Sequence, residues 1–296
     1  MLEQLINGLT QGSVYALLAL GFTIIFGTLR MVTFAHGEVF MAGAYTGLTL
    51  FTHVAPNLPL ALLVAAVVTF AMGALIEIVA FRFLRNAPHF SSLLVTIGIS
   101  IILINLAQLI FGPETQAVPP SIIEDLAFSE IHVFGIYVTY LQLAVLGVAV
   151  LLMAGTYFFL EHTPLGLAIR ATSQDHEAAY AMGVNVNRIF TLTFAVGSMM
   201  GGIAGVLIGL YYNVFYPHMG TLLGIKAFSA SVVGGLTSMP GAVAAGLLIG
   251  VIESFAVDFW NASFRHLVAF VFMILVLIVR PAGLFGTGGM MRSRGD

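Results

Sequence analysis

Apolar residues fall along this chain in blocks of about twenty, the length that crosses a bilayer, with short polar stretches between them. Backbone surrounded by lipid has to bond to itself, so each block predicts a transmembrane helix. Spans are expected near 8–26, 31–50, 60–81, 92–111, 136–160, 189–212, 220–238, 240–257 and 264–280. The blocks at 31–50 and 220–238 carry ionisable residues and glycines and read equally as broken or re-entrant helices, which leaves eight or nine spans. The expected fold is an all-α polytopic membrane bundle. The opening stretch lacks the basic region of a cleaved signal peptide and reads as the first span itself.

The polar stretches orient the bundle. With nine spans and a cytoplasmic C-terminus, the N-terminus lies outside. Arg30, Arg82, Arg85, Arg170, Arg188, Arg280, Arg292 and Arg294 then fall inside, eight of the ten Lys and Arg. The loop from Gly112 to Ile131 falls outside with Glu114, Glu124, Asp125 and Glu130 and no basic residue. This is the positive-inside bias. Gly112-Pro113 and Pro119-Pro120 make that outer loop irregular, and Trp260, beside Asp258 and Arg265, is expected at the outer rim.

Composition sharpens the class. Hydrophobic residues make up 59% of the 296 positions and charged residues 8%, against about 25% charged in soluble domains. The net charge of -3 gives no signal for nucleic acid. The absence of Cys excludes disulfides, thiol catalysis and Cys-ligated zinc. There is no GxxxxGK[ST] loop for ATP, and the eight His show no metal-ligand spacing. No cofactor is expected on this chain. A membrane-embedded enzyme would need convergent catalytic groups, and the polar residues are too sparse for one.

A faint repeat divides the chain. LRMVTFAHGEVFMAGAY from Leu29 and LLGIKAFSASVVGG from Leu222 each follow one span and precede two more, starting from opposite sides of the membrane. That is an inverted repeat, a common transporter plan. The expected organisation is one transmembrane domain over 1–296. It has a first repeat at about 8–111, a linking span at about 136–160, a cytoplasmic loop at 161–188 and a second repeat at about 189–280.

The loop at 161–188 is too polar to span and too patterned for a linker. Thr163-Pro164 reads as an N-cap with Pro in the first turn, opening a helix to about Arg170. Thr172 or Ser173 is expected to cap a second short helix, with Asp175 and Glu177 in its first turn and Gly183 ending it. Ala178, Ala179 and Met182 would form a small apolar face for a partner protein to cover. A helix resting on the bilayer surface is the competing reading, disfavoured by the few large hydrophobes.

Ionisable groups within the spans are candidate functional residues by their cost. His36 and Glu38 lie in the second block, and Lys226 occupies the corresponding place in the second half, free to neutralise a carboxylate such as Glu38 or to snorkel. A structural hydrogen bond is the competing role for Glu38. Glu253, and Glu77 followed by Arg82, read as packing or interface residues, and Asn105 and Gln108 as cross-helix pairs. Gly197, Gly201, Gly205 and Gly209 form one narrow face at which a helix or a partner subunit should approach closely. Gly234-Gly235 and Pro240-Gly241 break the backbone, either as a plain turn or as freed carbonyls along a translocation pathway.

Five segments together resemble the permeases of bacterial high-affinity branched-chain amino-acid ABC transporters, in particular the first of their two paired permeases. They are NGLTQGSVYALLALGFTIIFG from Asn7, VTFAHGEVFMAGAY from Val32, the stretch Leu165 to Arg188, KAFSASVVGGLTSMPGA from Lys226 and LVLIVRPAGLFG from Leu275. ABC importers of this kind dock a cytoplasmic EAAxxxG loop on their ATPases, and Glu177-Ala178-Ala179 with Gly183 has that spacing. The resemblance implies import of leucine, isoleucine and valine across the cell inner membrane. It implies a homologous second permease, two ATPase subunits that hydrolyse the ATP, and a periplasmic or lipid-anchored binding protein. The pathway candidates are His36 and Glu38, whose FAHGE stretch matches the family, together with Lys226, Gly234 and Gly235. Similar permeases carry urea, short amides or other amino acids, and a stand-alone secondary transporter or channel would not need the docking loop.

Overall fold

The computed structural model of the chain describes residues 1–84, 89–122, 130–133, 136–259, 261 and 265–286. Arg85, Glu124, Asp125, Trp260, Arg292 and Arg294, used above for orientation, lie outside the described residues.

The elements are helical apart from one hairpin. The first half holds α1 (Leu2–Leu29), α2 (Ala35–His53), α3 (Leu58–Leu84) and α4 (His89–Phe111). Strands β1 (Glu130–Val133) and β2 (Ile136–Thr139) pair antiparallel, with Glu130 opposite Thr139. Then come α5 (Tyr140–His162), α6 (Pro164–Gln174), α7 (His176–Ala181), α8 (Val186–Tyr212), α9 (Met219–Gly234), α10 (Met239–Phe259) and α11 (Arg265–Val279). Local chemistry sets the boundaries. Arg30 ends α1 in the left-handed region at φ 54. Asn57 caps α3 by accepting from the Leu60 amide at 3.2 Å. Thr139 and Gln142 form a reciprocal capping box on α5. That box explains why the linking span begins at 140 rather than 136: the four preceding residues are committed to β2.

Among the described residues six helices, α1, α3, α4, α5, α8 and α10, are long and apolar enough to cross a membrane. Two shorter apolar helices accompany them, α9 with 16 residues and α11 described over 15. Helix α2 has 19 residues, but its polar first turn keeps it out of the strongly apolar set. It is continuous from Ala35 to His53, so 31–50 is not a broken span. Helix α3 contains one π-helical stretch, Glu77–Phe81.

Helices α1 and α8 are buried along most of their length and form the centre of the bundle, whereas α3, α4 and α5 expose long apolar faces. Small residues set the spacing. Gly8 and Gly12 of α1 meet Gly250 and Leu247 of α10, and Gly246 meets Ala16. Gly43 of α2 lies directly on Gly202 of α8, and Gly73 of α3 lies on Ser198. Without a hydrophobic force between helices in lipid, such close backbone approach is what dispersion and packing can use. Helices α2 and α9 run antiparallel and cross at their first turns, where Gly37 meets Gly220 and Gly224. Two links tie the loop after α4 to the second half. Gln116 and Phe215 exchange backbone hydrogen bonds at 2.8 and 2.9 Å, and the Asn213 side chain bonds both backbone groups of Val118.

Candidate functional site

The first-turn crossing of α2 and α9 brings a buried carboxylate against the exposed hydroxyl of Thr221. Glu38 is 1% exposed, and its Oε1 accepts from the Thr221 hydroxyl at 2.8 Å. The partner expected for Glu38, Lys226, is elsewhere. His36, two residues earlier on α2, points away from Glu38. It packs edge-to-face on Phe22 with ring centroids 4.5 Å apart, close against Gly21 and Gly201. A Cβ on Gly201 would stand 3.3 Å from the imidazole. His36 is therefore a packing residue between α1, α2 and α8.

Lys226 pairs with Glu253 of α10, and both side chains are buried. Lys226 neutralises a carboxylate rather than snorkelling, but that carboxylate is Glu253 across the α9–α10 hairpin and not Glu38; Glu253, read as a packing or interface residue, is one half of an interior ion pair. The pair has further partners. Lys226 Nζ donates to the Tyr15 hydroxyl at 3.2 Å, Gln11 bonds that same hydroxyl, and Arg265 Nε lies 3.6 Å from Glu253 Oε1. A buried ion pair is tolerable when hydrogen bonds satisfy what the pair leaves over. A cavity of about 270 Å³ opens beside it, with Tyr212, Tyr216, Leu222 and His266 among its walls. Tyr15, Gln11 and Thr221 went unread in the sequence, where the signal available was a hydroxyl or amide inside an otherwise apolar block; Arg265 was read only as a neighbour of Trp260 at the rim.

The backbone break at Gly234-Gly235 is a turn closed by the chain's own C-terminal segment. Gly235 has φ 103, and the carbonyls of Val233 and Gly234 accept from the amides of Leu284 and Phe285 at 2.7 and 3.2 Å. Those carbonyls are thus already engaged. Gly234 and Gly241 touch backbone to backbone. The other glycine face is covered by this same chain: Gly197 lies on Gly21 and Ile25, Gly201 on His36 and Leu18, Gly205 on Phe40 and Ala44, and Gly209 on Phe215 of the α8–α9 connection. Glu77 is buried in the π-helical stretch and accepts from the Thr191 hydroxyl of α8. Asn105 bonds its own helix at the Ile101 carbonyl, while Gln108 reaches His218 at 3.3 Å.

In the loop at 161–188, Thr163 caps α6 as its sequence suggests, accepting from the Gly166 amide at 3.0 Å. Helix α6 runs on to Gln174, past the expected end at Arg170. The cap of α7 is Asp175, not Thr172 or Ser173. Thr172 is buried within α6 and donates to the Ala168 carbonyl, while Asp175 Oδ1 accepts from the amides of Glu177 and Ala178 at 2.9 and 3.0 Å. Those amides, Ala178 first, hold the Asp175 carboxyl below the usual aspartate range. Gly183, at φ 86, reverses the chain, its amide bonded to the Tyr180 carbonyl. Ala179 faces inward, so the outward surface consists of Glu177, Ala178, Tyr180 and Met182 rather than the expected alanine pair. Tyr180 and Met182 are 73% and 85% exposed.

A multi-helix membrane bundle held by glycine contacts, with interior polar residues and a capped helix in its longest loop, has the build of a transport permease. The chain belongs to the family of permease components of branched-chain amino acid transport systems, whose model matches residues 4–277. It is 40% identical over 293 residues to the high-affinity branched-chain amino acid transport system permease protein BraD of Pseudomonas aeruginosa, covering 96% of this chain and 95% of that one. It is 36% identical over 296 residues to LivH of Escherichia coli K12, with the same coverage. A more distant similarity, 28% over 308 residues, covers 93% of this chain and 68% of the permease LivM of Salmonella typhimurium. No solved structure matches this chain.

Proposed function

We propose that this chain is the membrane-embedded pathway subunit of an ATP-driven importer for leucine, isoleucine and valine. The observation that carries this reading is the end-to-end similarity to permeases named for that transport. The chain works with a second permease of related fold, two ATPases and a binding protein that delivers the amino acid outside. Similarity to LivM as well as LivH suits a pair of related permeases, and the exposed apolar faces of α4 and α5 give a second permease or lipid something to cover. The ATPase meets α7, where an Asp175-capped turn presents Tyr180 and Met182 to solvent.

The proposed architecture is two inverted halves in the inner membrane, with the N-terminus outside and the loop at 161–188 in the cytoplasm. Helix packing supports the halves. Helix α1 packs antiparallel on α10 as α8 packs on α3, and α1 meets α8 and α2 meets α9 at the middle. Contacts recur with their partners exchanged: Gly73 faces Ser198 and Ser254 faces Gly8, while Thr69 faces Gly202 and Gly250 faces Gly12. Nucleotide-driven movement of the ATPases enters through α7 and rocks one half against the other, alternating access about the α2–α9 crossing. A zwitterion with an apolar side chain needs few charged groups along such a path, because the delivery protein supplies the affinity.

The test is uptake by proteoliposomes holding this chain, its partner permease, both ATPases and the binding protein. ATP-dependent leucine uptake that requires every component is the expected result. Uptake of urea or a short amide in its place would overturn the substrate, and uptake of any substrate without ATP would point to a stand-alone transporter.

A further inference from the structure

A cavity of about 330 Å³ lies beside the α2–α9 crossing, between those helices and α4. This volume is at the small end of the range of small-molecule sites, about 300–1,000 Å³. Its apolar wall is built by Ile97, Ile101 and Ile104, which recur at helical spacing on one face of α4, and by Ile225 of α9; the cavity is open on the α4 side, where Ile97 and Ile101 are 46% and 54% exposed. Ser100 lies on that same face, and Glu38 enters from α2.

Two polar atoms at the cavity are left over. Glu38 Oε2 and Ser100 Oγ are both buried and have no hydrogen-bond partner among the described residues. Thr221 satisfies only the other carboxylate oxygen. A buried polar group without a partner is costly, and a carboxylate within a membrane more so. Lys226 does not relieve Glu38, because it is held by Glu253. The cavity therefore combines one uncompensated acidic oxygen, one free hydroxyl and a branched aliphatic wall.

We propose that this cavity is a substrate subsite within the membrane for an amino-acid zwitterion with a branched aliphatic side chain. Glu38 Oε2 accepts from the α-ammonium group, the Ser100 hydroxyl donates to the α-carboxylate, and the isoleucines of α4 and α9 hold the side chain. Position supports this as much as composition. The site lies where α2 and α9 begin and cross, at the contact between the two proposed halves, and the contact between repeats is where inverted-repeat transporters bind their substrates. The wall also sets selectivity. Urea offers neither an ammonium group nor an apolar tail, and an acidic side chain would meet Glu38. This subsite rests on the importer reading.

The experiment exploits the absence of Cys from the chain. Ser100→Cys is assembled with the partner permease, ATPases and binding protein in proteoliposomes and treated with a small methanethiosulfonate reagent. Expected is a loss of leucine uptake of about tenfold on modification, with ATPase activity stimulated by the binding protein retained, and slower modification while leucine is being transported. Modification that leaves uptake intact, or a rate indifferent to leucine, overturns the subsite. So does a site closed to the reagent under all conditions, as a lipid chain filling the cavity would make it. Should Ser100→Cys fail to assemble, Ile104→Phe decides the matter. It should lower leucine uptake about tenfold relative to alanine with ATPase activity retained, and an unchanged ratio sinks the proposal. If the unsubstituted assembly takes up no leucine, the importer reading fails instead.

Discussion

At the scale of single residues, the burial of Lys226 and Glu253 makes each dependent on the other. Removing one leaves an uncompensated interior charge, a change that costs about 3–5 kcal/mol in buried pairs. Lys226→Met and Glu253→Leu should each lower the thermal unfolding temperature of the purified protein sharply. The double substitution should recover most of the loss, and a sum of the two single effects would show that the residues act separately. Asp175 is the opposite case, a charge in water. Its carboxyl titrates lower in the fold than in the unfolded chain, since the Ala178 and Glu177 amides favour the ionised form. The cap is therefore complete above the ordinary aspartate range and is lost as pH falls through the lowered value. Amide exchange at Glu177 and Ala178 should accelerate in that acid window. Asp175→Asn, which caps without ionising, should remove the pH dependence while keeping the turn.

At the scale of elements, the glycines separate into two populations. Gly205 has no room for a methyl group, because the Phe40 carbonyl and the Ala44 amide already occupy its face, and Gly43 is closed by the Gly202 backbone. Gly147 of α5 has nothing within 4 Å. Alanine at Gly205 should destabilise by about 1–3 kcal/mol through overpacking. Alanine at Gly147 should stabilise its helix by up to about 1 kcal/mol through propensity. Denaturation of the two variants in the same detergent checks both. The four-residue spacing of Gly197 to Gly209 was legible because a helix face is a local property. The Lys226–Glu253 pair was not, since its members are 27 residues apart and meet only when the α9–α10 hairpin folds. Helix α9 looked longer in sequence than it is, because hydropathy runs on through Gly234-Gly235 while the backbone stops there. The cap of α7 was misplaced for a similar reason. Thr172, Ser173 and Asp175 are all capping residue types, and only the burial of Thr172 decides among them.

At the scale of the whole molecule, orientation is the property most open to direct measurement. A chain without Cys accepts a single reporter at any exposed site. Glu3→Cys and Glu114→Cys should react with an impermeant thiol reagent in intact cells. Gln174→Cys should react only after the membrane is opened, and the reverse pattern would invert the topology. The membrane class was legible from composition alone. Hydropathy read α2 and α9 less well than the other helices, because both pack largely against neighbours inside the bundle, where contact with other helices rather than with lipid sets how long and how apolar a helix must be. The C-terminal segment carries a consequence for how the protein is made. The carbonyls of Val233 and Gly234 are buried, and their donors, Leu284 and Phe285, lie some fifty residues later in the chain. During synthesis, the α9–α10 hairpin waits with two unmet acceptors until Leu284 and Phe285 have been added and can dock. Their segment is a clasp on the second half, and a bundle that lacks it is inserted but not locked.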